Sequence, residues 1–500
     1  MQICSLLLSS RPWLSFVSNS TGSLTTTPLS YTTLDHVCGF SSEIINEGII
    51  ATAGSTLHIL TIENIESVFN ETVVPLRYTP RQTCLISGKI AVVEADANDH
   101  SEAHKASTYG GVGSKKQGAD DGMDVDDSDD EESEESAETT TTVRGPIPAS
   151  KGSWGSCLRL LDPKTASTVD LLELSENEAA LSCCAVQFAS QLGEVLLAVG
   201  VSKALQFRPV KAEEHYVNVY RVVNNRLSLL HSTKVGGAVL SMTQFQNKLL
   251  VGVGGMLRLY DMGKKQLLRK CEKNVSKTVV KCVACAGDRI YVGDMCSSVQ
   301  IFKFDPGRQV MNLVCEDIMP RSIVSMCVLD IDTVCASDRF GNVFVLRSPK
   351  NAVEESVVVD DVGLWGRKVG AQFSTLCQYH VGEIVTSVKK ASLVQGGAEA
   401  IVYVTITGKI GALLPLVTKD DIEFFHGLQA ELRKKAGRPV GRDFGKWRGM
   451  FFPAKKVVDG DLISLWNTLS GDLQKEIAEE LDRTVGDISK KIESATTKLL

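Results

Sequence analysis

The residues 249–261 read LLVGVGGMLRLYD and combine two short apolar runs with a turn between them. The apolar run Leu249–Val253 is typical of a buried β-strand, and Leu257–Tyr260 continues as a second one. Gly254 and Gly255 stand in the short gap, where a tight turn favours glycine. The stretch therefore predicts a β-hairpin.

The same pattern recurs along the chain, in residues 49–62, 290–302, 334–346 and 402–413. Leu250, Ile290 and Val334 hold equivalent places 40 and 44 residues apart, and Val402 follows 68 residues later. A period of about 40–45 residues is typical of β-propeller blades. The Trp-Asp dipeptide of standard propeller repeats is absent, which favours a divergent WD40-like propeller. A series of β-sandwich strands is the alternative reading.

The acidic residues are concentrated in one segment. The chain of 500 residues has a formal net charge of −7, and 12 Asp or Glu stand between Asp120 and Glu138 with no Lys or Arg. Without those 12 residues the remainder carries +5. From about 99 to 150 there is almost nothing to bury, which predicts a disordered insert within a folded domain. The total charge thus argues neither for nor against a nucleic-acid partner.

The pattern changes after Leu416. Ile422, Phe425, Leu428 and Leu432 recur at helical spacing after a capping Thr418. Three further apolar stripes follow, and they share the same spacing: Leu462, Leu465, Trp466 and Leu469; Leu473, Ile477 and Leu481; and Val485, Ile488, Ile492, Ala495 and Leu499, with Thr484 as the cap. A small helical domain is predicted at this end.

No motif predicts an enzyme, a cofactor or a metal. The pair Cys282 and Cys285 has no second pair at zinc spacing and lies in a strand-like run, so both thiols are interpreted as packing groups. The glycines near 254 lack the third glycine of a dinucleotide fingerprint, since position 257 is Leu. The sequence contains no run of 18 apolar residues, so no membrane span is predicted. The start of the chain lacks the basic residues of a signal peptide.

One basic segment is the candidate contact site. Basic and aromatic side chains alternate there, an arrangement that can bind single-stranded RNA through phosphates and stacked bases. The alternative is a solvated linker whose aromatic side chains pack inward. The candidate residues for RNA or partner contact are Arg433, Lys434, Lys435, Arg438, Arg442, Lys446, Trp447, Arg448, Lys455 and Lys456.

Three serines lie in the acidic run. Ser128, Ser133 and Ser136 have Asp or Glu as close neighbours. Acidophilic phosphorylation would add further negative charge there. An unmodified, solvated acidic loop is the alternative.

Several motifs carry a family resemblance. The most specific are at the C-terminal end: Gly441-Arg442-Asp443, Val457-Val458-Asp459-Gly460-Asp461-Leu462 and Glu480-Leu481-Asp482-Arg483-Thr484. Upstream, Tyr379-His380-Val381-Gly382-Glu383, Gly252-Val253-Gly254 and Tyr78-Thr79-Pro80-Arg81 also fit. Together they resemble the C-terminal portion of the splicing factor 3b subunit 3 family. That family shares a wider group with the large subunits of damaged-DNA-binding protein and of cleavage-and-polyadenylation specificity factor.

The resemblance implies an all-β fold with a small α domain. Residues 1–78 would be the last blades of a preceding propeller. Residues 79–417 would be a β-propeller that carries the acidic insert, with about 290 residues left for seven blades of about 41. Residues 418–500 would be the helical domain. Members of the family are more than twice as long, so the chain is expected to be a fragment or to have its other half encoded separately.

The resemblance also implies a function. The expected role is a nuclear, non-catalytic scaffold of splicing factor 3b in U2 snRNP, acting at branch-site recognition. Its partners would be the HEAT-repeat largest subunit and the small subunits, with indirect contact to RNA. Two alternatives stay open, a nucleic-acid-binding propeller and an adaptor like the damaged-DNA-binding relatives.

Overall fold

A computed structural model describes residues 4–9, 12–17, 24–28, 31–43, 45, 48–61, 72–97, 152–191, 193–207, 210–350, 371–393, 398–435, 446, 448–449 and 452–497. The chain forms two compact units. The first unit comprises Met1–Glu71, Val334–Arg347 and Thr375–Leu500. The second comprises Thr72–Thr333 and Ser348–Ser374.

The second unit is built from antiparallel sheets of the meander type. Its strands are β7 (Pro80–Ile86), β8 (Lys89–Ala97), β9 (Trp154–Leu161), β10 (Thr168–Glu173), β11 (Glu178–Val186), β12 (Leu196–Lys203), β13 (Gln206–Phe207), β14 (Val210–Lys211), β15 (Glu214–Val223), β16 (Arg226–Val235), β17 (Val239–Phe245), β18 (Lys248–Val253), β19 (Met256–Asp261), β20 (Leu268–Asn274), β21 (Val280–Ala286), β22 (Arg289–Asp294), β23 (Val299–Asp305), β24 (Val310–Glu316), β25 (Ile323–Asp330) and β28 (Ala371–Gln372). The first sheet has the order β10-β9-β8-β7, the second β11-β12-β15-β16 and the third β17-β18-β19-β20. The fourth has the order β21-β22-β23-β24, and the short β28 adds to it in parallel.

An irregularity of register recurs near the start of the first strand in each of these four sheets. It falls between Pro80 and Gln82 in β7, between Ala180 and Ser182 in β11, between Val239 and Ser241 in β17, and between Val280 and Cys282 in β21. A bulge bends the strand and increases its twist. Its recurrence shows that these sheets are copies of one structural unit.

Small residues on the second strands set how closely successive sheets pack. A Cβ at Gly252 in β18 would lie 2.7 Å from Cγ1 of Val280, the first residue of β21. A Cβ at Gly200 in β12 would likewise lie 2.8 Å from Cβ of Val239. A Cβ at Gly293 in β22 would lie 2.8 Å from Cγ2 of Ile323. A side chain at any of these positions would overlap the next sheet. The glycines that the hairpin pattern contains therefore have a packing role as well.

A buried ion pair joins β8 to β9. Arg159 Nε lies 2.6 Å from Glu94 Oε1, and the two residues are 1% and 0% exposed. The second carboxylate oxygen of Glu94 accepts from the backbone N–H groups of Arg77 (2.8 Å) and Tyr78 (3.1 Å). The guanidinium and the carboxylate thus both have hydrogen-bond partners, which a buried ion pair requires. At the end of this pair of strands Ala97 is paired with Trp154, and the acidic insert lies between them in the sequence.

The first unit contains further small sheets. Their strands are β1 (Cys4–Leu7), β2 (Trp13–Val17), β3 (Leu24–Pro28), β4 (His36–Phe40), β5 (Gly48–Ala53), β6 (Thr56–Leu60), β26 (Thr333–Asp338), β27 (Asn342–Arg347), β29 (Ser374–His380), β30 (Val385–Ser392), β31 (Glu399–Thr405) and β32 (Ile410–Leu413). Three sheets have the orders β1-β2-β3, β4-β5-β6 and β30-β31-β32, and β26, β27 and β29 are neighbours in one sheet.

Helices end the first unit and share one apolar core. They are α1 (Lys419–Lys435), α2 (Gly460–Ile463), α3 (Gly471–Glu480) and α4 (Val485–Thr497), with a 3₁₀ turn at Ser464–Thr468 and another, in the second unit, at Ala189–Gln191. Trp466 is fully buried in that core, and its Nε1 donates to Ser489 Oγ at 3.0 Å. The predicted caps are confirmed, because Thr418 Oγ1 accepts from Asp421 N and Thr484 Oγ1 from Asp487 N, each at 3.1 Å.

The predicted class, strands followed by a helical end, is confirmed. All five predicted hairpins are present, as β5–β6, β18–β19, β22–β23, β26–β27 and β31–β32. The single helical stripe predicted over 462–469 is a short α-helix followed by a 3₁₀ turn. The count of seven blades and the domain boundaries stay predictions.

Candidate interaction site in the first unit

The basic residues at the end of α1 are engaged with neighbouring acids. Lys434 Nζ lies 2.5 Å from Glu431, and Lys435 Nζ lies 2.7 Å from Glu480 and 3.0 Å from Glu476. Hydrogen bonds to Glu431 and Glu480 raise the pKa of Lys434 and Lys435 respectively. Arg433, in contrast, is exposed, and within the described part of the chain it forms no ion pair.

Arg448 has a different environment from the other basic residues, because it is only 1% exposed. Its Nε donates to Asp459 Oδ2 at 2.7 Å, and its Nη2 donates to Asp461. Its Nη1 donates to the carbonyl oxygens of Val381 (2.8 Å) and His380 (3.2 Å). The guanidinium thus has partners on every side. Arg448 holds the segment around it in place and presents no donor to a ligand at the surface.

The Tyr379 ring completes this environment. Arg448 Cζ lies 4.8 Å from the ring centroid, within the range of a cation–π contact. Burial raises the pKa of Tyr379, so its hydroxyl stays protonated. Arg448 therefore joins two of the motifs quoted above, the one that begins at Tyr379 and the one that contains Asp459. Sequence reasoning placed Arg448 among the contact residues, and the two acids 11 and 13 residues further on were the signal for a buried role.

Next to Arg448, a chain of hydrogen bonds fixes His380. Asn342 Nδ2 donates to Asp338 Oδ2 at 2.8 Å, so its oxygen is free to accept from His380 Nδ1 at 3.0 Å. His380 therefore carries its proton on Nδ1. Burial is the main cause that lowers its pKa; nearby Arg448 lowers it too, and Asp338 acts in the opposite direction. The imidazole is neutral at pH 7.

The remaining described candidates are Lys446, Lys455 and Lys456. Lys455 pairs with Gln378 through two backbone hydrogen bonds, of 2.9 and 3.0 Å, and its Nζ donates to Thr375 O at 3.0 Å. Lys446 and Lys456 are exposed. Arg433 and Lys434 are exposed too, and Lys455 is exposed despite its contacts with Gln378 and Thr375. Arg438, Arg442, Trp447, Ser128, Ser133 and Ser136 lie outside the described residues.

The pair Cys282 and Cys285 lies in strand β21, as predicted. Cys282 Sγ donates to Val324 O at 3.1 Å, and Cys285 Sγ to Gln244 O at 2.9 Å. Their hydrogen bonds to neighbouring strands agree with a packing role. Among the described residues no group of three or more His, Cys, Asp or Glu is placed to hold a metal ion.

A cleft of about 430 Å³ opens on the second unit between β10 and β15. Its polar lining includes Glu173, Glu178, Lys203 and Glu214. Glu214 is engaged by Lys234 at 2.6 Å, and that hydrogen bond is the main cause that lowers its pKa. The carboxylate of Glu214 thus has two partners, Lys234 and the hydroxyl of Tyr216, which also lines the cleft. Separately, none of the described helices has the length and apolar character needed to cross a membrane.

The repeated meander sheets and the helical end define a β-propeller protein with a C-terminal helical part. Residues 155–468 match the family model of the CPSF A subunit region. Because this match covers more than half of the chain, the chain belongs to that family. Residues 3–62 match the model of the RSE1/DDB1/CPSF1 second beta-propeller. The predicted propeller class is thereby confirmed.

Curated relatives match nearly the whole chain. Spliceosome-associated protein 130 A of Arabidopsis thaliana is 40% identical over 515 residues, which are 99% of this chain and 42% of the relative. Splicing factor 3B subunit 3 of Danio rerio is 36% identical over 99% of this chain and 41% of the relative. Pre-mRNA-splicing factor RSE1 of Mycosarcoma maydis is 36% identical over 98% of this chain and 40% of the relative. The predicted resemblance is confirmed, and the chain spans about two fifths of the length of these relatives.

Proposed function

We propose that this chain is a non-catalytic scaffold part of splicing factor 3b in U2 snRNP and acts in pre-mRNA splicing at branch-site recognition. The observation that carries the proposal is its similarity, over 98–99% of its length, to relatives named as splicing factors. The same similarity favours action in the nucleus. The proposed partners are the HEAT-repeat largest subunit and the small subunits of splicing factor 3b, with RNA contacted indirectly.

A surface of the second unit supports contact with protein. Met295, Ile318 and Met319 are 40%, 58% and 45% exposed, and we call these three residues the apolar turn patch. They stand on two turns that are tied together, because Ser298 Oγ donates to Asp317 Oδ2 at 2.6 Å. Ser298 and Asp317 are both buried. Apolar side chains on a rigid base suit a protein partner better than a phosphate backbone.

The test is a pull-down of the tagged full chain from nuclear extract, read by mass spectrometry. Recovery of the largest subunit of splicing factor 3b is expected. Ile318→Asp should lower that recovery, because it places a charge in the apolar turn patch. Ile331→Asp is the matched control, since Ile331 is 48% exposed on another turn. Recovery of no splicing factor 3b subunit, or of a ubiquitin-ligase assembly in its place, contradicts the proposal.

A second candidate function is direct binding of RNA by exposed cations of the basic segment, among them Arg433 and Lys456. It predicts an affinity for single-stranded RNA that falls steeply with salt, because bound phosphates release counterions. Charge reversal at Arg433 and Lys456 should then weaken RNA binding. The scaffold proposal expects no change in RNA binding and normal co-purification of protein partners.

We propose in addition that Ser128, Ser133 and Ser136 are phosphorylated. The acidic residues around them support this, since acidophilic kinases select such sequences. Phosphopeptide mapping of protein from cells should find phosphate on these serines. Complete recovery of the unmodified peptide contradicts the proposal.

A further inference from the structure

The outer edge of the fourth sheet of the second unit holds an added strand. The short β28 pairs in parallel with the end of β24, where Ala371 lies opposite Cys315 and Gln372 opposite Glu316. The N–H of Phe373 donates to the carbonyl oxygen of Glu316 at 3.2 Å. Addition of a strand to a sheet edge is also a common way in which one protein binds an extended segment of another. The outer edges of these sheets can therefore accept a further strand.

β20 is the strand of the third sheet that corresponds to β24. In both strands the register shifts just before a cysteine, Cys271 in β20 and Cys315 in β24. Glu272 therefore corresponds to Glu316, where β28 adds. Among the described strands β20 pairs with β19 alone, because the third sheet ends at β20. The outer edge of β20 is thus the equivalent of the edge that β28 covers in the fourth sheet.

Positive charge is concentrated on the hairpin that ends in β20. Residues 256–274, which form β19, the turn and β20, contain six Lys or Arg and two Asp or Glu, a net charge of +4. The corresponding hairpins of the other three sheets carry −1 in residues 154–173, +2 in residues 214–235 and 0 in residues 299–316. The charge of the β19–β20 hairpin is therefore a property of this sheet and not of outer strands in general.

The two acidic residues of the hairpin do not neutralise its cations. Glu272 is shared by two guanidinium groups, since its Oε2 lies 3.2 Å from Arg258 Nε and 2.7 Å from Arg269 Nη1. Asp261 Oδ2 lies 4.0 Å from Lys270 Nζ. The side chains of Arg269 and Lys270 remain 53% and 39% exposed. Both can therefore contact a ligand at the edge of β20.

The turn of the hairpin and its apolar residues indicate the kind of ligand. Lys264 and Lys265 are exposed on the turn and form no ion pair with any described residue. Leu268, the first residue of β20, is 47% exposed beside them. Tyr260 is the only aromatic residue in the hairpin and is 4% exposed, so no aromatic ring is presented for base stacking. Cations, an exposed leucine and a strand edge together favour an acidic polypeptide over a single-stranded nucleic acid.

We propose that the outer edge of β20 binds an extended acidic segment of a protein partner, which adds to the third sheet as a further strand. Backbone hydrogen bonds would supply affinity, and the cations would select an acidic strand over a neutral one. Charged side chains on an edge normally oppose pairing with another strand, and carboxylates on the added strand would remove that opposition. The inference goes beyond the proposed function, because the apolar turn patch shares no residue with this hairpin. The pull-down and the peptide experiment below therefore fail or succeed separately.

The test titrates a short fluorescent peptide, in which Glu and Leu alternate, with the full chain and measures anisotropy. A dissociation constant below about 1 mM is expected, and it should rise with salt, because salt screens exposed charges. The amides of residues 268–274 should exchange hydrogen more slowly when the peptide is bound. Two control peptides, one with Gln in place of Glu and one with N-methylated amides that cannot donate to β20, should bind at least about tenfold more weakly.

Variants of the chain test the role of the cations. Lys265→Glu should weaken binding of the peptide by about three- to tenfold, because an attraction becomes a repulsion. Lys164→Glu is the matched control, since Lys164 is also exposed and lies in the corresponding turn of the first sheet, between β9 and β10. It changes the net charge by the same amount and should leave binding as in the wild type.

Three results would overturn the inference. The first is an equal loss of binding in both variants, which would mean that only the net charge of the chain matters. The second is an absence of binding at about 1 mM, or slower exchange only outside residues 268–274. The third is tighter binding of an oligouridylate that carries the same number of charges, which would assign the surface to nucleic acid. The second and third are read on the wild-type chain, so they decide the question even where a variant does not fold.

Discussion

Arg448 and Asp459 form an ion pair of 2.7 Å in which the side chains are only 2% and 4% exposed. A charge pair removed from water is stable only while both partners and their hydrogen bonds are present. The pair attaches the segment after α1 to the end of β29, where the carbonyl oxygens of His380 and Val381 complete the environment of Arg448.

The first prediction concerns this pair. Arg448→Met should lower the free energy of unfolding of the first unit by about 3–5 kcal/mol, because it leaves Asp459 buried and unpaired. Arg448→Lys should recover only part of the loss, since an ammonium cannot replace the planar fork of the guanidinium. Urea unfolding of each variant measures the change.

Arg433→Met is the control for that experiment, because Arg433 is exposed at the end of α1. It should change the free energy of unfolding by less than about 0.5 kcal/mol. Equal effects of the two Met substitutions would contradict the structural role of Arg448.

The second prediction concerns pH. Burial lowers the pKa of His380 below its unfolded value of 6.5. The unfolded chain therefore binds more protons than the folded chain once the pH falls through 6.5, and the free energy of unfolding should decrease. The decrease ends below the folded pKa. His380→Gln should show a smaller decrease between pH 7.5 and pH 5.5 in denaturant unfolding.

His426→Gln is the comparison, because His426 is exposed on α1. This variant should keep the pH dependence of the wild type. A His380→Gln profile parallel to that of the wild type would show that another group is responsible.

The third prediction concerns the close approach of successive sheets. Gly252→Val would place methyl groups against Val280, where even a Cβ has only 2.7 Å. The substitution should lower the free energy of unfolding of the second unit by at least about 1–3 kcal/mol, as overpacking does. Thermal and urea unfolding check this. Gly236→Ala should be nearly neutral, since a Cβ there meets no atom within 4 Å; a neutral Gly252→Val would refute the packing role.

The fourth prediction concerns the acidic insert. Ala97 and Trp154 are paired across β8 and β9, so a two-residue Asn-Gly turn can join them in place of residues 98–153. The shortened chain should fold with the same circular dichroism spectrum. Its free energy of unfolding should not fall, and loop shortening can raise it by up to roughly 3 kcal/mol. Loss of cooperative unfolding would mean that the insert contributes to the fold.

The strand pattern of the sequence was sufficient to predict the hairpins, because strand pairing across a short turn is local. The approach of Val280 to Gly252 was not predictable in this way, since it depends on how one sheet packs on the next. The sequence pattern was likewise insufficient to predict which helix residues are buried. Ile422 was placed on the apolar face of α1 yet is 39% exposed, while Gln429 is buried because its Oε1 accepts from Asp459 N at 2.7 Å.

The candidate site was predictable only as a charge pattern. Basic residues close together in sequence indicate a basic surface, and Arg433 and Lys456 fit that picture because they are exposed. Lys435 and Arg448 do not, because acids from other parts of the first unit neutralise them. Which acids lie near a basic residue is decided by tertiary packing.

The pairing of β8 with β9 also determines what a break in the chain would do. Eight residue pairs, from Ile90 with Leu161 to Ala97 with Trp154, lie on either side of the gap between the two strands. A protease that cut between residues 98 and 151 would therefore release no part of the second unit. Two separately expressed polypeptides, one ending after β8 and the other beginning before β9, should therefore reconstitute the second unit, because β8 and β9 would pair with each other.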